Sequence, residues 1–131
     1  MKLRINNNSI RLRLSQTEVK EIGKGNSVTE NLYLGNNNLA IAYSLIPDEK
    51  TPAISAHFFG NELKVYVPKT LSDNWAGSEE VTMRHMQNEG DEHQNLILIE
   101  KDFQCLHKRP DEDESDSFPN PKSEEDYNNC N

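Results

Sequence analysis

The sequence predicts a mainly β (α+β) protein that contains two copies of one small unit and ends in an acidic tail. Residues 1–30 align with residues 54–83 at a constant offset of 53 residues, and most apolar positions match apolar positions. In both segments, apolar and polar residues alternate on either side of a turn, which is typical of a β-hairpin with one buried face. A fixed internal offset of this kind indicates a duplicated supersecondary unit.

The first hairpin is predicted within residues 2–14. The turn at residues 6–9 holds three Asn residues and one Ser, and these residue types tolerate left-handed backbone. The apolar side chains occupy odd positions before the turn and even positions after it, as a reversal of the chain requires. They are Leu3, Ile5, Ile10, Leu12 and Leu14.

A short helix is predicted to follow the hairpin. Ser15 and Glu18 have the spacing of a capping box, in which each side chain satisfies a free backbone N–H group of the first turn. Val19 and Ile22 lie three residues apart and therefore share one helical face. Gly23 is suited to end the helix after about two turns.

The two units occupy residues 1–46 and 54–102, and each has the predicted order strand, strand, short helix, strand, strand. The second helix begins after Pro68, a residue that suits a helix start. Leu71 and Trp75 lie four residues apart and are predicted to share its buried face. At the constant offset, Trp75 matches Ile22 of the first unit, so we expect both in the core.

A tail, residues 103–131, follows the domain of residues 1–102. Residues 111–131 hold eight acids and one base, which accounts for most of the net charge of −8. Such a segment cannot bury enough apolar surface to offset its ordering entropy, so we expect it to be largely disordered. Phe118 is an isolated aromatic residue that could still dock onto the body.

The apolar runs are too short for a transmembrane helix or a signal peptide, so we expect a cytoplasmic protein without membrane partners. Two cysteines, Cys105 and Cys130, do not make a disulfide framework and are expected to be reduced thiols.

Each unit resembles the swapped-hairpin fold of the AbrB and MazE families of bacterial transition-state regulators and antitoxins. The resemblance rests on the order of the elements, on the two turns, and on the stretches IRLRLS and LKVYVPKTL. It implies a shared barrel with a pseudo-twofold axis, formed either within one chain as a pseudo-dimer or in a homodimer. The whole chain also resembles small bacterial proteins of unknown function, and that resemblance implies no activity.

The outward side of the first hairpin is predicted to be cationic. Four basic residues alternate with its apolar residues, and they are the candidate nucleic-acid-binding residues: Lys2, Arg4, Arg11 and Arg13. In the AbrB/MazE fold, basic residues of these strands face DNA. Four cations on one sheet face could neutralise several phosphates. The alternative is a solvated face whose charges keep the sheet edge soluble.

Chemistry of other kinds has little support in the sequence. Cys105 and His107 offer two soft metal ligands, but no second pair has a zinc-like spacing. There is no Gly-rich phosphate loop and no nucleophile motif, so we expect a protein that is not an enzyme and needs no cofactor.

The leading interpretation is therefore a non-enzymatic binding protein, of the DNA-binding or antitoxin-like regulator class. The acidic tail favours a basic protein as a second class of partner, because disordered acidic segments fold onto such surfaces. The alternatives are a metal- or small-ligand-binding protein that uses Cys105 and His107, and a module with a protein partner only.

Overall fold

The structure, a computed structural model, describes residues 1–35, 39–103 and 115–119. Within these ranges the chain forms eight strands and two short helices in the predicted order. The elements are β1 (Lys2–Asn6), β2 (Ser9–Leu14), α1 (Gln16–Gly23), β3 (Val28–Leu34), β4 (Leu39–Asp48), β5 (Ser55–Phe59), β6 (Glu62–Pro68), α2 (Lys69–Ala76), β7 (Thr82–Gln87) and β8 (Asn95–Lys101).

The strands form two four-stranded sheets, and each sheet combines strands from both halves of the chain. One sheet has the order β1-β2-β8-β7 and the other has the order β3-β4-β6-β5. In the first sheet, β2 pairs in parallel with β8. In the second sheet, β4 pairs in parallel with β6. Each hairpin of one half is therefore joined to a hairpin of the other half.

The predicted barrel is wrong, because the sheets are open. The strands β1, β7, β3 and β5 each have one neighbour and form the sheet edges. Side chains link these edges where a barrel would need backbone pairs. The Gln87 amide Nε2 on β7 donates to the Ala56 carbonyl on β5 over 3.0 Å. On the opposite side, the Met1 amino group lies 3.0 Å from the Glu30 carboxylate on β3.

The core lies between the inward faces of the two sheets and the two helices, which contact each other. Ile22 on α1 and Trp75 on α2 are both completely buried, as the sequence predicted. The Trp75 indole N–H donates to the Val81 carbonyl over 3.0 Å, which satisfies its polar atom. The remaining core residues are Leu12, Leu14, Val19, Leu45, Ile54, Val65, Val67, Met83, Ile97 and Ile99.

The buried face of α2 differs from the predicted one. Ser72 is completely buried, whereas Leu71 is 37% exposed. The Ser72 hydroxyl donates to the Lys69 carbonyl over 3.1 Å, so it can be buried without an unsatisfied polar group. The face that contains Ser72 and Trp75 has a three-residue spacing, like Val19 and Ile22 on α1. The four-residue spacing in the sequence therefore selected Leu71, whereas the buried neighbour of Trp75 is Ser72.

The helices approach each other closely at Gly23 and Ala76. A Cβ atom on Gly23 would lie 3.2 Å from the Ala76 Cβ atom, which is tighter than ordinary contact. Gly23 thus has a packing role between the helices as well as the predicted position at the end of α1.

Replacement of Trp75 by Ala is expected to lower the free energy of unfolding by about 3–5 kcal/mol, because it leaves a large cavity between helix and sheets. Leu71→Ala on the same helix is the matched control and is expected to cost about 1 kcal/mol or less. Urea denaturation followed by circular dichroism measures both. Equal losses in the two variants would contradict the assigned core.

Candidate nucleic-acid interface

The four predicted basic residues lie on one sheet face, pointing away from the core. In the β1–β2 register, Lys2 is opposite Arg13 and Arg4 is opposite Arg11. The intervening residue Leu12 is completely buried on the other face. The alternation seen in the sequence is therefore the alternation between solvent and core.

The parallel pairing of β2 with β8 adds Arg84 to this face. Arg11 is in register with Leu98 of β8, and Leu98 is in register with Arg84 of β7. One row across the sheet consequently reads Arg4, Arg11, Leu98, Arg84. Sequence analysis missed Arg84 because nothing in its local pattern shows that β7 lies in the same sheet as β1. Because side chains alternate along a strand, Arg84 points outward next to the buried Met83.

Two acidic residues at the end of β8 neutralise part of the face. The Glu100 Oε1 atom lies 3.0 Å from the Arg11 Nε atom and 3.7 Å from the Arg13 Nε atom. The Asp102 Oδ2 atom lies 3.1 Å from the Lys2 Nζ atom. Arg4 and Arg84 make no ion pair with any residue in the described ranges. The charge that remains therefore lies toward the Arg4–Arg84 row.

The second sheet has no comparable cationic face. The positions of β5 and β6 that match the basic residues at the offset of 53 are Ser55, His57, Lys64 and Tyr66. Lys64 lies 3.3 Å from the Glu62 carboxylate, which neutralises it. His57 and Tyr66 form an edge-to-face ring pair with centroids 6.0 Å apart. The two outer faces of the molecule thus differ in charge.

A polar cluster closes one end of the cationic face, at the start of α1. Ser15 and Glu18 form the predicted capping box, with Ser15 as the N-cap. Glu18 and Glu30 also accept from the Met1 amino group. Burial opposes ionisation of Glu18, but hydrogen bonds from the Met1 ammonium and the Ser15 backbone outweigh it and lower the pKa of the carboxyl. For Met1, burial is likewise outweighed by these carboxylates, which raise the pKa of the amino group.

Residues 115–119 pack against this cluster. The Gln16 backbone N–H donates to the Asp116 carbonyl over 2.9 Å, and the Gln16 side-chain amide donates to the Ser117 carbonyl over 3.0 Å. Hydrogen bonds from Ser15 and then Thr17 lower the pKa of the Asp116 carboxyl. This segment thus supplies N–H acceptors at the first turn of α1, where four such groups lack helical partners.

Phe118 docks onto the body, as the sequence had allowed. Its ring lies 5.3 Å from the Phe103 ring, centroid to centroid, and its N–H donates to the Asp102 carbonyl over 2.7 Å. The Lys101 ammonium lies 5.7 Å from the Phe118 ring and 5.6 Å from the Trp75 ring. The rest of residues 104–131 lies outside the described residues, and so do Cys105, His107 and Cys130.

A cleft of about 120 Å³ separates the cationic face from the docked segment. It is lined by Met1, Lys2, Arg13, Ser15, Glu18, Asp102, Asp116 and Ser117. Charges of both signs line this space, and many are paired with each other. Within the described ranges, no group of three or more His, Cys, Asp and Glu side chains could hold a metal ion. Neither described helix is long and apolar enough to cross a membrane.

These features define a small protein of two four-stranded sheets with one cationic outer face. The chain belongs to DUF7009, a family of unknown function, whose family model matches residues 1–122. No curated protein and no solved structure matches the chain.

The Glu18→Gln variant is expected to be less stable than the wild type by about 1 kcal/mol near neutral pH, because it loses the ion pair but keeps a capping-box acceptor. The folded pKa of Glu18 lies below its usual value of 4.5. Its stabilising effect is therefore present above about pH 4.5 and is lost as the pH falls through the folded pKa.

Unfolding free energies measured between acid and neutral pH should accordingly converge for the two proteins at the acid end. Glu21→Gln, which removes an exposed charge from the same helix, is the matched control and should run parallel to the wild type. A Glu18→Gln deficit that stays constant as the pH falls would contradict the ion-pair assignment.

Proposed function

We propose that this chain is a non-enzymatic binding protein that binds nucleic acid through the outer face of the β1-β2-β8-β7 sheet. The observation that carries the proposal is the pair Arg4 and Arg11, which lie directly opposite each other across β1 and β2. Like charges in that position destabilise a sheet. Glu100 relieves part of that repulsion from the Arg11 side. An anion placed over Arg4 would relieve the rest, and Arg84 in the same row would add a third cation.

The dimensions of the row suit a nucleic-acid duplex. Four neighbouring strands at about 4.8 Å spacing span roughly 14 Å from β1 to β7. This is comparable to the major groove, which is about 12 Å wide. Guanidinium groups distributed over that span would contact phosphates and hold the sheet on the backbone. Contacts of this kind position a protein and carry little sequence preference.

We also propose that the two halves are copies of one unit, arranged like the swapped hairpins of the AbrB/MazE families. Two observations support this. The pairing of β2 with β8 has the same role as the pairing of β6 with β4. Gly23 also meets Ala76, its match at the offset of 53, where the two helices come together. The arrangement supports an antitoxin-like regulator, for which the acidic tail would bind a basic protein partner.

Fluorescence anisotropy with a labelled DNA duplex and a labelled RNA tests nucleic-acid binding by the full-length protein. The double variant Arg4→Ala/Arg11→Ala is expected to weaken binding roughly tenfold or more at low salt. The affinity of the wild type should fall with salt with a logarithmic slope of about −3, if three phosphates are neutralised.

Lys64→Ala is the matched control, because Lys64 occupies the corresponding position on the other sheet and should leave the affinity unchanged. Absence of binding by the wild type at low salt, or equal losses in the control and the double variant, would refute the proposal.

A further inference from the structure

The β3 edge of the second sheet carries an exposed apolar tip. On β3, Leu32 is 49% exposed, Tyr33 is 70% exposed and Leu34 is 56% exposed. On the neighbouring β4, Ile41 is 36% exposed. Since consecutive residues of a strand point to opposite faces, Leu32 and Leu34 lie on one face and Tyr33 lies on the other. The tip is therefore apolar on both faces.

This tip extends beyond the rest of its sheet. The pairing of β4 with β6 begins at Ala42 and Glu62, whereas β3 continues to pair with β4 as far as Leu34 and Leu39. The β7–β8 hairpin of the other sheet ends in a polar pair instead, Gln87 opposite Asn95. The β5–β6 hairpin also ends in exposed aromatic residues, Phe58 and Phe59, but Gln87 bonds the Ala56 backbone and partly closes that edge.

The β3 edge also lacks the basic charges that both edge strands of the other sheet carry. β1 carries Lys2 and Arg4, and β7 carries Arg84. Glu30 is the only charged residue of β3, and the end from Asn31 to Leu34 has none. Exposed edge strands present unpaired backbone N–H and C=O groups, and charged side chains normally keep such strands from pairing with other chains. The exposed backbone groups at this edge are therefore open to pairing with a strand of another chain.

We propose that a second copy of this chain covers the tip, through antiparallel pairing of β3 with β3 of the partner subunit. A register centred on Tyr33 places it opposite Tyr33 of the partner subunit. The same register places Leu32 opposite Leu34 of the partner subunit, so that apolar side chains meet on both faces. The β3-β4-β6-β5 sheets of the two subunits then join into one eight-stranded sheet. The subunits are related by a twofold axis, which is the commonest symmetry of homodimers.

Charge also favours this register. In a parallel, in-register pairing, the two Glu30 carboxylates would lie side by side and repel each other. In the antiparallel register centred on Tyr33, the two Glu30 residues lie on opposite sides of the centre and do not face each other. The single acidic residue of the strand is thereby kept away from its counterpart and from the apolar centre of the contact.

The area available fits a reversible dimer. The exposed parts of Leu32, Tyr33, Leu34 and Ile41 amount to on the order of 400 Å² per subunit, divided between the two faces of the sheet. A standard interface buries about 800 Å² per partner. The β3 backbone and the residues flanking the tip supply further area. We therefore expect a concentration-dependent dimer rather than an obligate one.

Sedimentation equilibrium of the full-length protein tests the proposal. The wild type should pass from monomer to dimer as its concentration rises through the micromolar range, and Tyr33→Lys should remain monomeric throughout. Phe59→Lys is the matched control, because Phe59 is also an exposed aromatic residue, 89% exposed, on the opposite edge strand. It should dimerise like the wild type. Circular dichroism establishes that each variant is folded.

Cysteine cross-linking tests the register separately. In a background with Cys105→Ser and Cys130→Ser, Tyr33→Cys should form a disulfide-linked dimer under mild oxidation, whereas Phe59→Cys should remain monomeric. A monomeric wild type at all concentrations overturns the proposal. So does a dimer that persists in Tyr33→Lys, or cross-linking that is no faster at position 33 than at position 59. Nucleic-acid binding by Tyr33→Lys is expected to be unchanged, so the two proposals fail independently.

Discussion

The parallel pairing between the two halves of the chain is the constraint on which the rest of the structure depends. Each hairpin alone is a two-stranded ribbon, which is marginally stable in water. Pairing of β2 with β8 and of β4 with β6 turns four such ribbons into two sheets. The two residues that anchor the helices, Ile22 and Trp75, are buried only once both sheets exist. Neither half can complete its core without the other, so the chain is expected to fold as one cooperative unit.

Local pattern predicted the elements well, because each depends on neighbours in the sequence. The alternation around the turn at Asn7 located the first hairpin, and Ser15 with Glu18 located the start of α1. The fixed offset of 53 residues also predicted that Trp75 lies in the core. Trp75 matches Ile22 at that offset, and a large apolar residue on the inward face of a helix is expected to be buried. The features that failed are the ones that depend on contacts between distant segments.

Three such features show why. Leu71 and Ser72 cannot be ranked by hydrophobicity alone, because a nearby carbonyl satisfies the Ser72 hydroxyl. The sheets are open, and between β5 and β7 the Gln87 side chain makes the link that backbone pairs would make in a barrel. Asp116 and Ser117 add acceptors at the start of α1, and no local pattern in an acidic segment identifies that position. Periodicity describes one helix or strand at a time, so it does not detect contacts that depend on the surroundings of that element.

The distribution of charge between edge and interior strands separates the two interpretations of the cationic face. Solubility of an exposed edge explains Lys2 and Arg4 on β1 and Arg84 on β7, because both are edge strands. It does not explain Arg11 and Arg13, because β2 lies inside the sheet and has no free edge to protect. Glu100 faces these two arginines and partly neutralises them. Arg11 thus lies between this carboxylate and Arg4, its neighbour across β1 and β2. The interior arginines are thus the part of the face that edge protection leaves unaccounted for, and they are the part that our proposal of nucleic-acid binding addresses.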